Sequence, residues 1–265
     1  MATKTSEIKV EKPYLTGSFH GRDAWKLVPK RLLAMLGVFL LYFAGSLMLS
    51  FDSLAGRIIP SVLIVALTVY YQAMKGMAQG TGDVAFGEMM NSRLQEGKTV
   101  SPQDRQKCYH PLKGFFVAIM GVLPFLLVAS YFALNARAVE YSLGVLPSWT
   151  QELMQQSEFG DALRYYEQVS PMTVMEALRV GVRAVTMPMM SVATFVGGQA
   201  TLLAERLSPL FLLLAPLAYG FGYLAGPEQR IRINTGIQLG VNQKRRKERK
   251  ARKKRSQSRG PERLI

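Results

Sequence analysis

The chain has 265 residues, 49% of them hydrophobic, and carries a formal net charge of +15. That length would suit one or two soluble domains, but the apolar residues gather into long uncharged runs separated by charged stretches. This is the pattern of a polytopic membrane protein rather than of a soluble core. A single cysteine, Cys108, excludes an internal disulfide, and no Cys/His spacing points to structural zinc.

Residues 1–30 are polar, mixed in charge and interrupted by Pro13, Gly17, Gly21 and Pro29. An irregular arm is expected there, not a secretory signal. Trp25 with Lys26, Lys30 and Arg31 forms an aromatic and basic collar of the kind found at a membrane–water interface. The first expected span, residues 32–51 (LLAMLGVFLLYFAGSLMLSF), holds no charge. A short turn over residues 52–57 returns the chain into a second span at residues 58–77. Pro60 falls in its first turn, where proline is tolerated, and Lys75 lies near its end, where it can snorkel. Residues 79–110 read as a polar connector. A third span follows at residues 114–134, with Pro124 near its middle expected to kink it.

Residues 135–208 hold 5 Lys/Arg against 7 acids, the only long stretch with an acidic balance. Trp149, Tyr165 and Tyr166 are candidates for the outer interface. Within this stretch residues 174–187 read as an amphipathic helix. At 100° per residue Glu176, Arg179, Arg183 and Thr186 fall within an arc of about 80°, with Val174, Leu178, Val182 and Val185 opposite. Two mid-helix arginines cost roughly 5–7 kcal/mol to insert, while four or five Val/Leu return only about 1.5–3 kcal/mol. Residues 174–204, interrupted at Pro188, are therefore expected to lie on the outer surface or to dip in as a broken re-entrant pair, with a fifth span shielded by the others as the alternative. The fourth span, residues 209–226, is at the short end of the roughly 17–25 residues a crossing helix needs.

From residue 227 onward there are 14 Lys/Arg and 3 acids, and ten of the basic residues lie in KRRKERKARKKR, residues 244–255. Such segments stay on the cytoplasmic side, so alternation from the tail places both termini in the cytoplasm of a cell membrane. The expectation is an all-α polytopic bundle in three parts: a polar arm (1–30), a membrane domain (31–226) with four spans and an amphipathic or re-entrant segment, and a disordered basic tail (227–265).

Gly80-Thr81-Gly82-Asp83 resembles the GxGD signature of intramembrane aspartyl proteases, whose chemistry needs a second aspartate within about one water molecule. Asp52, the only other aspartate close to a span in sequence, falls across the membrane, and the string reads as a glycine-rich helix exit. Cys108, Tyr109 and His110 are adjacent, which is poor geometry for a nucleophile–base pair. Gly76/Gly80 and Gly222/Gly226 are small-xxx-small pairs that let helices approach closely.

The remaining candidates are Glu176, Arg179 and Arg183 for a ligand or ion path, and the tail for a polyanion. Lys244, Arg245, Arg246, Lys247, Arg249, Lys250, Arg252, Lys253, Lys254 and Arg255 are expected to contact anionic lipid head groups, with RNA or a ribosome as the second possibility. No cofactor or metal is expected. The functional expectation is a non-enzymatic accessory or permease-like subunit of a transport or export assembly, working with partner subunits. A stand-alone transporter or channel is the first alternative, and a membrane-embedded enzyme the second.

Overall fold

The computed structural model describes residues 9–48, 53–137, 153 and 173–258. Among these residues all regular structure is helical. The elements are α1 (Arg22–Met48), α2 (Leu54–Gln95), α3 (Pro102–Lys107), α4 (Lys113–Asn135), α5 (Val174–Val185), α6 (Met187–Val196), α7 (Gly198–Leu224) and α8 (Gly226–Ser258). Asp52, Trp149, Tyr165 and Tyr166 lie outside the described residues.

Four helices, α1, α2, α4 and α7, are long and apolar enough to cross a bilayer, which marks the chain as a membrane protein. Their apolar windows bury little within the chain, from 11% in α2 to 44% in α7. Ile59, Leu40 and Leu134 are 65%, 69% and 87% exposed. Outward rows of this kind are costly in water and natural against lipid.

Each of the four overlaps one of the apolar runs read from the sequence, but the helices overrun their apolar cores. α1 begins at Arg22, with Pro29 inside it. Ser53 caps α2 by accepting from the Gly56 N–H at 3.1 Å, and α2 then continues well past Met77, through the expected polar connector, to Gln95. Gly80 is therefore no helix exit. Nothing in GTGDVAFGEMM breaks a helix outright, since an internal glycine costs only about 1 kcal/mol relative to alanine, and tertiary contacts at Gly76 and Gly80 override it. α7 starts at Gly198, so Glu205 and Arg206 belong to the same helix as the fourth apolar run.

The tail also departs from expectation: it is helical as far as Ser258, not disordered. Lys, Arg, Gln, Glu and Ala lose little rotamer freedom in a helix, and Glu228 in the first turn complements the helix dipole.

The chain divides into two compact units, each of which draws a segment from all four long helices. The first comprises Met1–Lys30, Val69–Met120 and Ala215–Ile265. Here the polar half of α2 runs parallel to the end of α7 and the start of α8 at backbone contact distance. A Cβ on Gly76 would strike the Tyr219 carbonyl, one on Gly80 the Tyr223 carbonyl, and one on Gly222 the Ala73 carbonyl, while Gly226 lies against Gly80. The two small-xxx-small pairs thus meet each other within one chain. Val84, Tyr109 and Tyr223 form one buried cluster of this unit with Tyr14 against it, and the Tyr109 and Tyr223 rings stack at 5.2 Å. Residues 9–21 of the N-terminal arm are irregular but tied down, whereas residues 22–30 belong to α1. Leu15 N–H donates to the Gly87 carbonyl at 3.1 Å, Gly17 N–H to the Tyr109 carbonyl at 2.9 Å, and Val10 N–H to Thr235 Oγ1 at 3.1 Å.

The second unit comprises Arg31–Thr68 and Gly121–Leu214. Its aromatic contacts are Phe39–Phe125 at 4.9 Å and Tyr42–Phe211 at 5.7 Å. Residues 174–204 resolve into three pieces: α5, α6 and the first turns of α7. α5 opens on a capping box in which Thr173 and Glu176 satisfy each other's backbone N–H. Gly197, at φ 137°, makes the turn between α6 and α7, a conformation that side-chain-bearing residues rarely adopt. Met190 and Ala193 of α6 then pack on Ala204 of α7.

Candidate functional site

Among the described residues, buried charge is concentrated in three ionic centres, two in the first unit and one in the second. The first is built on Lys113, at the start of α4, which is only 1% exposed. Its Nζ lies 2.9 Å from Asp83 Oδ2 on α2 and 3.1 Å from Asp23 Oδ2 on α1. It also donates to the carbonyls of Lys107 at 3.2 Å and Gln106 at 3.4 Å. Asp83 is held further by Tyr223 Oη, which donates to Oδ2 at 2.6 Å, and by Gln79 Nε2, which donates to Oδ1 at 2.9 Å. A buried ammonium is tolerable only when nearly every proton finds an acceptor, and this one has two carboxylates and two carbonyls.

About one and a half turns further along α2, Glu88 forms the second centre. Arg230 of α8 donates to its Oε2 from Nε at 3.0 Å and from a terminal nitrogen at 2.8 Å, and Asn234 donates to Oε1 at 2.8 Å. These contacts fix the direction of α8. Its first turns follow α2 instead of peeling away.

The third centre belongs to the second unit. Glu205 of α7 is 1% exposed and receives both arginines of α5. Arg183 Nε donates to Oε1 at 2.7 Å, with a terminal nitrogen 2.6 Å from the same oxygen. Arg179 Nε sits 3.1 Å from that oxygen but is poorly aligned for a hydrogen bond. A terminal nitrogen of Arg179 instead donates to the Arg137 carbonyl at 2.6 Å. The charged face of α5 therefore turns onto α7, while Val174 and Val180 on other faces are exposed. Glu176, on the same arc, is used as the helix cap.

An open cavity of about 370 Å³ in this unit is lined by Tyr131, Phe132, Arg137, Glu176 and Arg179, among others.

Sequence reasoning singles out Glu176, Arg179 and Arg183, and the structure brings the two arginines together on Glu205, a partner that such a reading passes over. Lys113, Asp23, Arg230 and Asn234 escape it as well. Glu205 does leave one usable clue, as a lone carboxylate just ahead of the apolar run at residues 209–226. A membrane-embedded enzyme would need the side chains of Asp83, Glu88 and His110 to converge, and each is engaged separately. The first two are bound to different partners, and His110 Nδ1 accepts from the Leu112 N–H at 3.2 Å. Cys108, buried at the end of α3, points its thiol at the Asp104 carbonyl, and burial raises the thiol's pKa. Burial, with Tyr14 beside it, also pushes the Tyr109 phenol up to about 12.

Of the tail cations, Lys244, Arg245, Arg246, Lys247, Arg249 and Lys250 are exposed on α8, and the same helix carries residues 252–255. No family model matches this chain, and no curated protein or solved structure matches it either.

Proposed function

We propose that this membrane protein is a non-enzymatic accessory or permease-like subunit of a transport or export assembly in the cell membrane, with both termini cytoplasmic. The observation that carries this reading is the way the three buried ionic centres are closed on themselves. Lys113 stands between Asp23 and Asp83, so the two aspartates that approach each other are bridged by an ammonium. A shared-proton pair would have them in direct contact. Glu88 and Glu205 are likewise occupied by arginines. Groups committed in this way brace helices together, and the surfaces left for partners are the apolar outer faces and α8.

The test is isolation from native membranes in a mild detergent, followed by native mass spectrometry and liposome flux assays. A stoichiometric complex with a second membrane protein, and flux only from that complex, is the expected result. A purified chain that moves a solute by itself overturns the accessory role.

The cavity beside Arg137 and Arg179 favours a second reading, a stand-alone transporter or channel for a small anionic solute. On that reading R179Q/R183Q changes flux while membrane insertion stays intact.

A further inference from the structure

α8 continues past the end of the fourth apolar run, and this changes what its basic segment can bind. α7 passes into α8 with almost no interruption of backbone bonding. Ala225 N–H donates to the carbonyls of Phe221 and Gly222, and Gln229 N–H to that of Ala225. No residue at this junction has a positive φ. The contacts of α7 and α8 with α2 then advance in step. Gly222 lies by Ala73, Gly226 by Gly80, and both Arg230 and Asn234 reach Glu88. α8 therefore keeps the heading of the last turns of α7, guided by the polar half of α2, which itself extends beyond the last apolar turn of the second span. The arm adds a clamp at Thr235. Beyond it residues 236–251 are exposed on every side.

At 1.5 Å per residue, Lys244 stands about 27 Å beyond Gly226 and residue 255 about 44 Å. The field of an anionic leaflet decays over roughly 8 Å at physiological ionic strength. Allowing about 5–7 Å for the head-group layer, the charges begin roughly two and a half decay lengths outside the leaflet, where head groups exert little pull on them.

Their arrangement narrows the partner further. On a helix of 100° per residue Lys244, Arg245, Arg246, Lys247, Arg249 and Lys250 point around the full circle, leaving no wet and dry sides. A helix that lies on a bilayer needs two faces, and a protein interface needs an apolar core. Residues 244–255 supply neither, since the only uncharged residue among them is Ala251. Neither do they contain an aromatic residue on which unpaired bases would stack. Phosphate contact asks only for positive charge at close spacing.

We infer that residues 244–255 form a rigid cationic helix that binds the phosphate backbone of folded, double-helical RNA on the cytoplasmic side of the membrane. This inference rests on the cytoplasmic placement of the C-terminus proposed above and holds whether or not a transport assembly is involved.

The experiment uses the full chain in phosphatidylcholine nanodiscs and a fluorescent RNA hairpin, with affinity measured across a salt series. If about six phosphates are engaged, affinity falls roughly 10³-fold between about 50 and 200 mM salt. R245Q/R246Q/R249Q/K250Q should flatten the salt slope by about one unit per lost contact. A C108S/K250C chain carrying an environment-sensitive dye should be insensitive to head-group spin labels, with or without phosphatidylserine in the disc. Failure to bind the hairpin at low salt, or an unchanged salt slope in the quadruple variant, overturns the inference. So does dye quenching that grows with phosphatidylserine, which would mean the helix lies on the leaflet.

Discussion

Replacing Lys113 by methionine tests whether the ionic centre of the first unit holds its helices together. The side chain is 1% exposed, and methionine fills nearly the same volume, so the change removes charge more than packing. What remains is Asp83, which is buried, facing the part-exposed Asp23 with no cation between them. Stranding one member of a buried pair costs about 3–5 kcal/mol, and here two like charges are left to repel. On the scale of soluble proteins of comparable size, each kcal/mol is worth roughly 2–4 °C, so the melting point should fall by about 6–20 °C. Thermal unfolding in detergent, followed by tryptophan fluorescence, reads this directly. The double variant K113M/D83N should recover part of the loss, because the asparagine keeps partners in Tyr223 and Gln79 while the repulsion disappears. A K113M protein that melts within about 2 °C of the parent, or a double variant worse than the sum of the singles, would refute the argument.

Gly222→Ala should destabilise by about 1–3 kcal/mol, because its methyl group enters the Ala73 backbone, whereas Gly82→Ala has open space and should be neutral or gain up to about 1 kcal/mol; denaturation of the two variants side by side checks the contrast. Cys108 should alkylate slowly in the folded chain, with a pH midpoint above that of a free thiol, and both differences should vanish in SDS, as maleimide labelling across pH will read. Tyr109 is neutral in the fold to a higher pH than in the unfolded chain, so its contribution to stability is complete below about pH 10 and lost as pH rises through about 12. Y109F should flatten that alkaline loss, measured by melting points over the same range. Glu205→Gln should cost more stability than Arg183→Gln, since the carboxylate is almost fully buried and serves two arginines while Arg183 is about a third exposed.

The four spans are legible in the sequence because an uninterrupted apolar run needs no partner to be recognised: hydropathy acts residue by residue. Helix ends are not, because they are decided between segments. α2 runs on through Gly76 and Gly80 because the backbone of α7 packs there, a fact about residues far away in sequence. The tail reads as disordered from its charge, although its residue types are good helix formers and its first turns are fastened by Glu88 and by the arm. The ionic centres are hidden for the same reason. Asp23 and Lys113, Asp83 and Tyr223, and Glu88 and Arg230 are separated by 90, 140 and 142 positions. No spacing rule couples them.

The charge on α5 shows where a residue-by-residue price misleads. Arg179 and Arg183 look too costly for membrane depth when each is scored alone, yet Glu205 offsets much of that cost by accepting both. Charge is thus a weak argument against a crossing at this point, and geometry is a stronger one. α5 and α6 have 12 and 10 residues, or about 18 and 15 Å, each near half of a hydrocarbon core of roughly 30 Å. They would have to act in line to span it. In a straight antiparallel pairing with α7, moving back from Met190 to Arg183 should move the contact on α7 forward by about two turns. Instead Met190 packs at Ala204 while Arg183 and Arg179 meet Glu205, the next residue. The chain bends at Thr186, where φ is −108° and ψ 24°, and α5 crosses α7 instead of running along it. A pair of helices broken at Thr186 satisfies those contacts, and one straight helix through α5 and α6 does not.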